Sequence, residues 1–289
     1  LARADRTQLL TFKPNNTFSV GFGVYLFEIG AELALAVPLD QLSRSIYGDS
    51  ETRDLNLNVM GKMFGIDAFY QRYAGFYISE KDRLPPAGSP FPQRSDLVSR
   101  NYGITGNYVF NHNRFSFSAF YNYAERQLQS KGSFLLSANL STFRVSGDSS
   151  IITGAQELEF GPEASFTKLR YTTFSLAPGY TYSIIFRNFF LNGALSAGPA
   201  HHWVRYQLKT GELINDITIH SFVTARIGIG YNGDRIFGGI GFVTRSSVVK
   251  IADAEFSNSN GSFKILMGYR FREKGFLTRR AWDLLPFHL

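Results

Sequence analysis

The sequence predicts an all-β fold, a transmembrane antiparallel up-and-down β-barrel with short periplasmic turns and longer extracellular loops. Three observations predict it. Apolar and small polar residues alternate with a period of two along most of the chain, the mark of strands whose two faces meet different surroundings. No run of about 18 apolar residues occurs, which excludes a membrane-crossing helix. Aromatic residues make up 16% of the chain, with 28 Phe and 15 Tyr, yet mean hydropathy is −0.11. That average is expected when each strand carries an apolar outward face and a polar inward one.

The strands can be taken in order. Gln8–Phe12 forms an opening strand before a turn at Pro14, Asn15 and Asn16. Phe18, Val20, Phe22, Val24 and Leu26 then oppose Ser19, Gly21 and Gly23. Leu55, Leu57 and Val59 oppose Asn56 and Asn58, and Ile104, Tyr108 and Phe110 oppose Gly103, Thr105 and Asn107. Phe115, Phe117, Ala119 and Tyr121 alternate with Ser116 and Ser118 and are assigned a strand. The same pattern continues through Phe174–Ile184 and Val223–Tyr231. It closes with Phe263, Ile265, Met267, Tyr269 and Phe271 on one face and Lys264, Leu266, Gly268 and Arg270 on the other.

Short turns are expected at 28–30, 61–63, 111–113, 187–188 and 232–234, with Asn232 and Gly233 as a type I′ hairpin pair. Long loops are expected at 38–53, 79–96, 199–215 and 252–260; the second holds Pro85, Pro86, Pro90 and Pro92, which ladder strands do not tolerate. Twelve strands stand out from residue 17 onward, but they put the short turns before 130 and after 180 on opposite sides. Adding Gln8–Phe12 and Ser150–Phe160, the latter entered through a turn at 147–149, restores one side. The count adopted is fourteen, with both termini periplasmic; twelve is the alternative. Residues 1–271 make the barrel and 272–289 a C-terminal periplasmic extension.

The apolar rings are expected outward, because faces rich in Gly, Ser, Thr and Asn cannot fill a dry core to native density. Aromatic residues near strand ends, such as Tyr180 with Tyr182 and Tyr269 with Phe271, match interfacial girdles. Absence of Cys rules out disulfides and thiolate sites. The net charge of +7 is scattered rather than gathered into a stripe, so nucleic acid is not an expected partner. Outer-membrane lipid and lipopolysaccharide phosphates are.

The segment Lys13–Val24, with its Pro-Asn turn and Gly21 and Gly23, resembles the opening of an uncharacterised Bacteroidota outer-membrane family, a domain of unknown function. Ala34–Leu39, Phe64–Tyr77 and Glu125–Leu136 are similar to its further hallmarks. The resemblance spans most of the chain. It implies a barrel of the bacterial outer membrane, and it implies no catalytic residues.

Sites of chemistry are few. Gly228–Gly233 spells G-x-G-x-x-G, but a strand follows where a dinucleotide site needs a helix; no cofactor is expected. Adjacent His201 and His202 on a strand point to opposite faces and chelate poorly together, and with Trp203 they are assigned to the interface. His220 and Ser221 face apart in the same way, and no nucleophile elbow is present. No metal and no catalytic residue is assigned, and an enzyme is not expected. The inward charges are Asp67, Arg226, Arg245, Lys264 and Arg270, which either brace the lumen or tune a pore. The tail residues Arg279, Arg280, Trp282, Leu284, Leu285 and Phe287 form an apolar, basic end suited to docking on another envelope protein. The expected role is a non-enzymatic outer-membrane barrel, an accessory or structural subunit of a larger envelope complex. A passive channel for small hydrophilic solutes is the alternative, and a lipid-active enzyme the third reading.

Overall fold

Alternating residues build one long antiparallel sheet that curls around an interior. The structure, a computed structural model, describes residues 2–3, 10–15, 18–27, 29–80, 85–152, 160, 165–251, 254–271 and 275. Two short strands come first, β1 (Ala2–Arg3) and β2 (Leu10–Lys13). A hairpin follows, β3 (Ser19–Leu26) with β4 (Ile29–Ala36), then helix α1 (Gln41–Tyr47) and β5 (Glu51–Met60). Next come β6 (Phe64–Glu80), β7 (Gln93–Val109), helix α2 (Ser118–Tyr121) and β8 (Lys131–Ser146). The long strands β9 (Phe166–Phe186), β10 (Phe189–Leu208), β11 (Leu213–Asn232), β12 (Ile236–Ile251) and β13 (Ala254–Tyr269) complete it. From β3 to β13 each strand pairs with its sequence neighbour, as an up-and-down meander requires. In the pairings found, β1 lies along the start of β13, and β2 pairs with the end of β6. The strands β3 and β13 run in the same direction, and Lys264 on β13 reaches Glu32 on β4 across the interior.

Several expectations are corrected. Among the described residues there are thirteen strands, not fourteen. Phe115–Tyr121 is no strand: it belongs to a 110–130 excursion that carries α2 and turns inward, so Phe115, Phe117, Ala119 and Phe120 are buried and Tyr121 is half-buried rather than outward-facing. The opening strand forms at Leu10–Lys13 but pairs with β6 rather than starting a hairpin with β3. Asn15, placed in a turn by the sequence, instead donates to the carbonyls of Gly48 (2.7 Å) and Ser43 (3.2 Å) and so pins the β4–β5 loop. Residues 150–152 are not in a strand, and 153–159 lie outside the described residues. The chain therefore enters β3 from the long-loop end. The 199–215 loop shrinks to residues 209–212, because β10 and β11 remain paired out to Gln207 and Leu213. The 252–260 loop shrinks similarly, with β13 beginning at Ala254. Neither Asn232 nor Gly233 is left-handed; β11 runs through Asn232 and the chain turns over 233–235.

The outer surface is apolar. Phe22, Ile104, Leu140, Leu176, Leu195, Ile227, Ile240 and Ile265 are all exposed, and each belongs to the aromatic-aliphatic face of its strand. The interior is layered. At the long-loop end Leu97, Phe143, Ile151, Phe166, Tyr171, Val204 and Val249 form an apolar cluster. At the short-turn end Met60, Val109, Phe115, Phe120, Tyr123, Leu135 and Phe190 form a second. Between them the wall is polar: Ser137 Oγ donates to Asn107 Oδ1 (2.7 Å) and Asn192 Nδ2 to Ser183 Oγ (2.7 Å). Small wall residues cannot fill the interior alone, and the 110–130 excursion supplies the missing volume. Gly239 on β12 makes room for it. A Cβ on Gly239 would sit 2.8 Å from Tyr123 Oη and 2.6 Å from the Ile229 carbonyl oxygen. Gly239→Val is therefore expected to displace Tyr123 and to cost about 1–3 kcal/mol, read as a lower urea midpoint for the heat-modifiable gel band.

Candidate functional site

The polar interior and its inward segment form the candidate site. Odd-numbered positions of β6 before the bulge at Gly75, odd-numbered positions of β12 and even-numbered positions of β11 face inward, which places Asp67, Arg245 and Arg226 inside. Asp67 is 7% exposed, a burial that a carboxylate tolerates only with partners. Tyr121, carried in on α2, donates its hydroxyl to Asp67. The Arg226 guanidinium lies 3.8 Å from the centre of the Tyr121 ring, a close cation–π contact. Arg245 sits 5.5 Å from the Phe69 ring. These three charges line one small cavity with Tyr121, Thr105 and Ser137. Asn122 Nδ2 donates to Asn58 Oδ1 at 3.1 Å, a second tie between the segment and the wall.

The other two inward charges lie apart. Lys264 pairs with Glu32. Arg270, just beyond β13, clamps the inward segment from the short-turn end. Its Nε donates to the Tyr123 carbonyl (2.9 Å) and its Nη1 to the Gly233 carbonyl (2.5 Å), and its Nη2 reaches Asn232 Oδ1. Its plane also covers the Phe237 ring at 4.6 Å. Arg126, on the segment itself, returns the clamp: Nε to the Asn232 carbonyl (3.0 Å), Nη2 to Asn188 Oδ1 (2.9 Å), and an ion pair with Asp234. Tyr123 holds a left-handed φ of 60° in this clamp. A bulky residue persists there only when its surroundings over-determine it, and the bonds at its carbonyl and its stacking on Phe237 (5.5 Å, 15°) do so.

The opposite mouth is covered as well. Arg94, 8% exposed, is oriented by Asp96 (2.8 Å) and donates to the carbonyls of Ser150 and Ile151, both at 2.8 Å. The 147–152 stretch is thereby drawn over the upper cluster.

The histidines separate as alternation requires. His201 packs on exposed Trp203 (4.5 Å between ring centres), whereas His202 is fully buried, with Nδ1 2.8 Å from Thr173 Oγ1. The interfacial assignment is thus corrected for His202. The residues Gly228 and Gly230 pair with Gly241 and Gly239 in a ladder. The tail residues Arg279, Arg280, Trp282, Leu284, Leu285 and Phe287 lie outside the described residues.

Sequence reasoning missed Tyr121, Tyr123 and Arg126 as interior groups, because 115–121 alternates like a strand. One signal pointed to them. The conflict over which side the short turns occupy disappears when that strand is removed, with no strand added.

A curled antiparallel sheet with an apolar outside and a polar belt inside, between two apolar clusters, is a β-barrel-like fold. The chain belongs to the family described as "Domain of unknown function (DUF4421)", whose model matches residues 1–271. Among solved structures it is similar to the outer membrane protease OmpT from Escherichia coli, at 10% identity over 90% of this chain and 98% of that one, with a TM-score of 0.38. No curated protein matches it.

Proposed function

We propose that this protein is a non-enzymatic β-barrel of the bacterial outer membrane, an accessory or structural subunit of a larger envelope complex. The observation that carries the reading is the interior. Two cavities among the described residues, of about 40 Å³ and about 30 Å³, hold a few water molecules each, and the 110–130 segment packs against the wall at the short-turn end, which supports a filled interior over a wide solute path. The Asp67, Tyr121 and Arg226 contacts join the inward segment to the wall, which supports a bracing role for these charges. The belt of exposed Phe, Leu and Ile supports immersion in lipid, and the excess of Lys and Arg supports contact with lipopolysaccharide phosphates. The tail, with Trp282, Leu284, Leu285 and Phe287 behind Arg279 and Arg280, is the proposed docking element, since apolar side chains of that density seek cover.

Extraction in mild detergent tests the reading together with planar-bilayer recording. The expected result is a silent barrel that co-purifies with envelope proteins and loses them when residues 279–289 are deleted. A strictly monomeric barrel defeats the subunit role. Steady conductance altered by Arg226→Ala and Arg245→Ala replaces this reading with a passive channel.

A further inference from the structure

Strand register assembles an arginine row on the outer face that is invisible along the chain. Arg53 on β5 is the Cα partner of Arg72 on β6, and Arg72 of Arg100 on β7. Arg100 is the partner of Arg144 on β8, Arg144 of Arg170 on β9, and Arg170 of Arg205 on β10. Six arginines thus stand directly opposite one another across six consecutive strands. With strands about 4.8 Å apart, the row is about 24 Å long.

Each of these arginines shares the outward face of its strand. Going from the short-turn end, β6 presents Phe64, Ile66 and Tyr70 and then Arg72; β9 presents Leu176 and Phe174 and then Arg170; β10 presents Leu195 and Trp203 and then Arg205. On each strand the arginine stands where the apolar face gives way toward the long-loop end.

Like charges directly opposite in a sheet destabilise it, so such a row needs anions. The protein supplies few. Glu51 serves the β5 end, accepting from Arg53 Nε and Arg72 Nη1, each at 2.9 Å. Arg205 Nε donates to Asn215 Oδ1, which carries no charge. Among the described residues no carboxylate pairs with Arg100, Arg144, Arg170 or Arg205. Arg144 leans on the Tyr102 ring (5.8 Å), and its Nε is buried without a partner. A line of cations that the described carboxylates do not neutralise, set beside an apolar face, points to an anionic ligand.

We infer that Arg100, Arg144 and Arg170, flanked by Arg72 and Arg205, form a binding site for the phosphate groups of a phosphorylated glycolipid in the outer leaflet. Guanidinium forks bind phosphate oxygens bidentately, and the apolar face beside them receives acyl chains. The inference rests on the outer-membrane reading for its leaflet: the long-loop end faces outward.

The test is native mass spectrometry of the delipidated, detergent-solubilised full chain. The probes are bis-phosphorylated lipid A, the same lipid stripped of its phosphates, phosphatidylglycerol and inorganic phosphate. The expected result is an adduct with bis-phosphorylated lipid A at least ten-fold stronger than with the stripped lipid, and not displaced by phosphatidylglycerol or inorganic phosphate. Arg100→Gln/Arg144→Gln/Arg170→Gln should lower it at least ten-fold. The exposed single substitution Arg170→Gln, which leaves the half-buried Arg144 intact, should lower it about three-fold. Arg187→Gln, at the short-turn end, should leave it unchanged. Undiminished binding in the Arg170 variant and, where it folds, the triple variant overturns the site. Equal binding of phosphatidylglycerol overturns the glycolipid as its ligand. A chain soluble without detergent would instead remove the membrane reading itself.

Discussion

Replacing Arg126 and Arg270 together by alanine is expected to turn a silent barrel into a conducting one. The two guanidinium groups tie the inward segment to the short-turn end of the wall: Arg270 through the Tyr123 and Gly233 carbonyls, Arg126 through the Asn232 carbonyl, Asn188 and Asp234. Hydrogen bonds from charged donors contribute about 1.5–3 kcal/mol each, and carbonyls left bare inside the barrel add a desolvation cost. Losing both groups therefore removes on the order of 5 kcal/mol that holds the segment in place. The substitutions also free Tyr123 from its left-handed conformation, which relaxes the turn outward. Because both arginines bond the 232–234 turn, the double change should exceed the sum of the single ones. Single-channel recording on refolded protein decides it. A folded double variant that stays silent over the whole voltage range would mean that the apolar contacts alone hold the segment.

Phe115→Ala should produce the largest loss of stability from a single side chain in the segment. Phe115 is 1% exposed and packs with Met60, Val109 and Leu135 of the wall and with Phe120 and Phe190. Truncating a phenyl ring in such a site costs about 3–5 kcal/mol, from lost transfer energy and from the cavity left behind. Leu128 lies on the same segment but is 70% exposed, and Leu128→Ala should cost less than about 0.5 kcal/mol. Urea titration of heat-modifiable mobility measures both. Equal, small effects would show that the segment is not packed as a second core.

The sheet itself was legible in the residues. Alternation in Phe18–Leu26, Phe174–Ile184, Val223–Tyr231 and Phe263–Phe271 assigned each side chain to a face, and the faces are as assigned, with Asp67, Arg226, Arg245 and Lys264 inside. This works because the side-chain period of a strand is two whatever its neighbours are. The turns at 61–63 and 187–188 were legible for the same local reason. The alternation at Phe115–Tyr121 misled, because Phe, Ser and Ala in that order suit a pleated surface and a buried irregular segment equally well. The difference lies in what they pack against, and that is set by residues as distant as Met60 and Phe190.

The residues alone dictated a sheet, its two unlike faces and the absence of a membrane-crossing helix, since each follows from composition and short-range periodicity. Tertiary structure decided everything that depends on which strands stand side by side: the filled interior, the clamp that joins Arg126 and Arg270 to one turn, and the arginine row. A one-residue slip in register would send half of that row to the other face. Arginines scattered from position 53 to position 205 become neighbours because backbone hydrogen bonds align five successive strand pairs, and no local property of the chain encodes that alignment.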